Sequence, residues 1–150
     1  MKGRWQSASV EETWALGRAL AAELAPDGVL LLSGDLGSGK TVLAQGVAAG
    51  LGIDPAEVQS PTFNLIREHR GSRGRLVHVD LYRLDPDEVE TLGLDELLAG
   101  PGVKVVEWAE RLPFPVPGAR ELRLARAAGA EGGREIVETT TTSSSDSTET

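Results

Sequence analysis

The run Gly34-Asp35-Leu36-Gly37-Ser38-Gly39-Lys40-Thr41 constrains this chain more than any other feature. It fits G-x-x-x-x-G-K-[ST], and each fixed position has a chemical reason. Glycines let the backbone curl until successive amides face phosphate oxygens, the Lys40 ammonium can reach the outer phosphates, and the Thr41 hydroxyl can ligate magnesium. At this chain's own residue usage, a chance match arises roughly 0.5% of the time. The flanks fit as well. Val29 to Ser33 is an aliphatic run between glycines, the pattern of a strand buried on both faces of a parallel sheet. Beyond the loop, Leu43, Val47 and Leu51 recur at i, i+4 and i+8, which predicts a helix running from Lys40 until Gly52 stops it. Strand, glycine-rich loop and helix in this order form the setting that a phosphate-binding loop requires.

The remaining pattern extends this α/β plan. Ser9-Val10-Glu11-Glu12 reads as a capping box opening a first helix, with Trp14, Leu16, Leu20 and Leu24 on its apolar stripe and Pro26-Asp27-Gly28 as its stop. Thr62 to Glu68 and Arg75 to Tyr82 are strand-like runs around Gly71-Ser72-Arg73-Gly74, an antiparallel hairpin with a basic tip. Asp85-Pro86-Asp87-Glu88 predicts a short helix toward Leu92, and another is expected near Leu94 to Leu98. Val103 to Glu107 is a further aliphatic strand, and later strands are expected at Glu121 to Ala125 and Arg134 to Glu138. The expected architecture is a single-domain α/β P-loop NTPase fold over residues 1–138, mainly parallel, with antiparallel hairpin additions and flanking helices. Thr139 to Thr150 holds only Thr, Ser, Asp and Glu and is expected to be a disordered tail.

Composition narrows the function. A chain of 150 residues, 40% hydrophobic and 25% charged, has material for one core. Its net charge of −8 argues against unaided binding to nucleic acid or an anionic membrane. Glu131, Glu135, Glu138, Asp146 and Glu149 against Arg134 supply half of that charge, leaving the body mildly acidic. With no cysteine there is no disulfide scaffold, zinc thiolate or cysteine nucleophile. No signal core follows Met1 and no apolar run spans a membrane, so a soluble cytoplasmic protein is expected.

Two more strand ends carry candidate chemistry. Leu76-Val77-His78-Val79-Asp80 ends in a carboxylate suited to magnesium, and Val103 to Glu107 ends in another. Strand C-termini are where open α/β sheets place ligands, so three ends converge on one crevice. Glu107 could polarise a water for attack on a γ-phosphate, or support the metal. His78 is read as structural, and Trp108 as a core or interface anchor. A guanine-specific switch would carry Asn-Lys-x-Asp, but the only asparagine, Asn64, precedes Leu65, which favours adenine. Arg67, Arg70, Arg73 and Arg75 form either a solvated edge that discourages strand pairing or a docking surface for RNA or an acidic partner.

Gly34 to Thr41, Ser60-Pro61-Thr62-Phe63, His78-Val79-Asp80-Leu81-Tyr82-Arg83 and Val106-Glu107-Trp108, in this order, resemble the TsaE (YjeE) family over roughly Trp14 to Leu112. The resemblance implies a magnesium-dependent P-loop ATPase that acts with TsaD and TsaB in making threonylcarbamoyladenosine in tRNA, reaching the tRNA through that complex. It also implies that Gly37, Gly39, Lys40 and Thr41 hold phosphates and metal, that Asp80 is the Walker B acid, that Thr62 belongs to a switch-like segment, and that Glu107 is a catalytic or metal-supporting carboxylate. Ala109 stands where the family often has proline. Two other classes use the same loop: a phosphotransferase acting on a small molecule, and a nucleotide-gated binding module with negligible turnover.

Overall fold

The computed structural model describes residues 3–35, 38–58, 66–82, 87, 93–127 and 133–140. Seven strands form one sheet in the order β1-β7-β6-β2-β5-β4-β3. They are β1 (Arg4–Ser7), β2 (Val29–Gly34), β3 (Ile66–Arg70), β4 (Arg75–Asp80), β5 (Val103–Glu107), β6 (Arg120–Arg126) and β7 (Arg134–Thr140). The centre, β6-β2-β5-β4, is parallel throughout, while β3 on one flank and β7 and β1 on the other pair antiparallel. The expected fold class stands, with antiparallel additions on both edges.

The aliphatic run of β2 is explained by its position. Leu30 and Leu32 face a core shared with α1 (Val10–Leu24) and α2 (Lys40–Gly50), whereas Val29 and Leu31 face a second core on the other side. A strand covered on both faces needs apolar side chains at every position. Helix α1 begins as the capping box requires: the Ser9 hydroxyl accepts from Glu12 N at 3.1 Å. Glu12 reaches one residue further back than expected, accepting from Ala8 N at 2.8 Å. The buried face of α1 is Thr13, Gly17, Leu20, Ala21 and Leu24, so Trp14 and Leu16 lie beside the contact, only partly buried.

The two helices meet backbone to backbone. A Cβ built on Gly17 would lie 2.3 Å from Leu43 O, and one on Gly46 would lie 2.1 Å from Trp14 O. Side chains at either position would wedge the helices apart. Leu43, Val47 and Leu51 are buried beneath this crossing, as their spacing implied, and each buried leucine contributes roughly 1.5–3 kcal/mol. The opposite face of the sheet is covered by α3 (Leu94–Ala99) and by Trp108, Leu112, Phe114 and Val116.

Two expectations lie partly outside the described residues, and one needs adjustment. The predicted strand from Thr62 is described only from Ile66, and the predicted helix from Asp85 to Leu92 lies outside the described residues except for Asp87. Strand β1 was not foreseen; it is four residues long and is held by pairing Arg4 to Val137 and Ser7 to Arg134. Strand β7 runs to Thr140, taking Thr139 and Thr140 from the expected tail, because they pair with Glu121 and Arg120 of β6. Residues 141–150 lie outside the described residues.

Candidate functional site

The C-terminal ends of β2, β5 and β4 lie side by side, with Leu32 in register with Glu107 and Glu107 in register with Asp80. The loop between β2 and α2 follows the first of them. Gly34 leaves the strand at φ +139°, where a Cβ would lie 2.3 Å from Leu124 O in β6, so the close approach admits only glycine. Gly39 stands at φ +105° as the residue before α2. Among the described residues no side chain caps this eleven-residue helix, which leaves its first amides without a side-chain acceptor. Ser38 N donates to Asp35 O at 3.1 Å and tightens the turn. Leu36, Gly37 and Thr62, also expected in the site, lie outside the described residues.

Lys40 is 4% exposed and its ammonium lies in the curl of the loop. It donates to Gly34 O, to Asp35 O at 2.8 Å and to Ser38 Oγ at 3.3 Å. Its Nζ also lies 4.1 Å from the centre of the Trp108 ring, a cation–π contact. Burial lowers the Lys40 pKa, and the surrounding carboxylates Glu107, Glu110, Asp80 and Asp35 oppose that shift.

Thr41 Oγ1 donates to Glu107 at 2.9 Å from Oε1 and 3.2 Å from Oε2. Glu107 Oε2 lies 2.6 Å from His78 Nε2. Both carboxylates are enclosed, Glu107 at 2% and Asp80 at 4% exposure, and Asp80 Oδ1 accepts from Tyr82 N at 2.9 Å. Burial of acidic groups at this depth is costly unless hydrogen bonds or a cation compensate. Thr41, Asp80 and Glu107 together offer hard oxygen donors, the kind magnesium takes. Among the described residues no three His, Asp or Glu side chains gather into a metal cage.

Three participants were missed or misread from sequence. His78, read as structural, touches Glu107; period-two alternation places it on the same face as Asp80, and that was the available signal. Glu110 approaches the loop, with Gly34 N 3.5 Å from its Oε2. Trp108 packs on Tyr82 at 4.7 Å between ring centres, as an anchor should, yet it also faces the loop lysine. It does so from φ +61°, a left-handed conformation unusual for a large residue.

Comparison with known proteins places this chain in a family. A family model described as "Threonylcarbamoyl adenosine biosynthesis protein TsaE" matches residues 7–136. The chain belongs to the TsaE family. The TsaE protein of Bacillus subtilis is 43% identical over 134 residues, covering 89% of this chain and 83% of that protein. The TsaE protein of Treponema pallidum is 37% identical over 89% of this chain and 98% of its own length. That of Streptomyces coelicolor is 46% identical over 76% and 79%. All three are described as tRNA threonylcarbamoyladenosine biosynthesis proteins. The crystal structure of Bacillus subtilis YdiB superposes with a TM-score of 0.72 and 36% identity, over 94% of this chain and 86% of that one. Among the described residues of this TsaE chain, no helix is long and apolar enough to cross a membrane.

Proposed function

We propose that this protein binds and hydrolyses ATP with magnesium as a component of the machinery that makes threonylcarbamoyladenosine in tRNA, acting with TsaD and TsaB. One observation carries the chemical part: the Thr41 hydroxyl is bonded to Glu107, with Asp80 in register beside it, at the mouth of a loop that seats Lys40. The family's description supports the biological part.

Each residue then has a task. Lys40 exchanges its loop carbonyls for the outer phosphates, and the uncapped first turn of α2 supplies amide donors to them. Thr41 and Asp80 hold magnesium, and Glu107 supports it or orients water for attack on the γ-phosphate. Magnesium, when bound, neutralises charge on the outer phosphates. With a net charge of −8, the chain reaches tRNA through its partners and not by itself. Turnover in isolation is slow, and the partner complex raises it.

Calorimetric titration with MgATP tests the loop. Lys40→Ala is expected to weaken binding roughly 10- to 100-fold, the loss of a charge-assisted hydrogen bond; equal affinity of variant and wild type would overturn the reading. Phosphate release with and without TsaD–TsaB, together with nucleoside analysis of the tRNA, tests the rest. Orthophosphate and modified tRNA that both require Lys40 support it. A phosphorylated metabolite would indicate a phosphotransferase, and binding with no product a gated module.

A further inference from the structure

His78 has no exposed surface, and among the described residues only one of its ring nitrogens has a partner. Nε2 lies 2.6 Å from Glu107 Oε2, while Nδ1 is buried with no hydrogen bond. Packing alone does not ask for an imidazole here. The neighbouring positions on this face of the sheet, Leu76, Val103 and Val105, are aliphatic and equally enclosed, and an aliphatic side chain at 78 would bring no unpaired ring nitrogen into it, its loss falling on the Glu107 carboxylate alone. The histidine is therefore explained by its contact. A carboxylate only accepts, so Nε2 carries a ring proton and donates it to Glu107.

The contact acts on a flexible side chain. Strand β5 fixes the Glu107 backbone but not its three side-chain torsions. Two donors from different elements do that: His78 from β4 on Oε2, and Thr41 from α2 on Oε1. With its one proton committed to Glu107, Thr41 Oγ1 keeps its lone pairs for a cation. We propose that His78 is a positioning residue: its Nε2–H holds one oxygen of Glu107 so that the other stays on the Thr41 hydroxyl, and through that pair it sets the loop's affinity for magnesium. Without His78, Glu107 still feels the Lys40 ammonium, on which it already acts. A carboxylate drawn there would release Thr41 and compete with phosphate for the lysine.

The proposal rests on the nucleotide reading of the site, and its test separates the two. In nucleotide-free wild type, long-range ¹H–¹⁵N correlation should show the His78 proton on Nε2. By calorimetry, His78→Leu should need roughly 10- to 100-fold more magnesium to reach the same ATP affinity, the usual effect of removing a group that orients a metal ligand. His78→Gln, which keeps an N–H at similar reach, should recover most of that loss at unchanged melting temperature. An Nε2 without a proton, an unshifted magnesium dependence in His78→Leu, or equal impairment of the two variants would overturn it. If His78→Leu does not fold, the tautomer and His78→Gln decide. Wild type that binds no MgATP would overturn the functional reading and this proposal with it. Normal wild-type binding with an unresponsive His78→Leu would overturn this proposal alone.

Discussion

Glu107 receives hydrogen bonds from two directions and lies in register with Asp80, so its charge and its shape make separable contributions. Glu107→Gln keeps the shape and removes the charge. Phosphate release under saturating MgATP is expected to fall roughly 100-fold or more, with nucleotide affinity little changed. If both fall together, Glu107 serves binding alone. The residues of this site were legible in proportion to how local their logic is. Lys40 and Thr41 belong to one contiguous motif, and Asp80 and Glu107 each end an aliphatic run, so pattern alone exposed them. His78 and Glu110 act across strands and loops, and no spacing within the sequence joins them to Glu107 or Gly34.

At the scale of elements, the crossing of α1 and α2 is the tightest contact in the fold. Gly46→Ala would place a methyl group against the Trp14 carbonyl, backbone that no rotamer change can relieve. It is expected to cost about 1–3 kcal/mol, read as a lower urea midpoint with unchanged slope. Strand β3 offers a test of pH. His69 is buried, and its pKa is lowered first by burial and then by His78 and Arg67, with Glu57 opposing. The folded state therefore resists the proton that the unfolded chain accepts. Stability should fall as pH drops through the ordinary histidine value and level off below the folded one. His69→Gln should remove that part of the slope in urea titrations on either side of this window, and an unchanged slope would reject the assignment. The central elements were readable because burial on two faces writes itself as continuous aliphatic runs. The short edge strand β1 was not, since Arg-Trp-Gln-Ser carries no such pattern and is strand only because β7 lies beside it.

For the whole molecule, strand β7 runs to Thr140, and the ten residues beyond it, 141–150, include no apolar side chain to bury. Removing them should leave the melting temperature and MgATP affinity unchanged; a drop of several degrees would show that the segment docks. Sheet order has a further consequence, for the time at which the protein becomes competent. The strand carrying the phosphate loop is made early, yet both of its neighbours, Val103–Glu107 and Arg120–Arg126, are translated late. Until they emerge, Val29–Gly34 is an aliphatic segment with neither edge occupied, and Thr41 waits for the carboxylate at position 107. A ribosome-bound chain that stops short of Val103 would hold the complete motif and still lack the means to shape it. On the function proposed above, nucleotide capture would thus be a property of the finished chain, and an abandoned nascent fragment would not withdraw ATP from the cell.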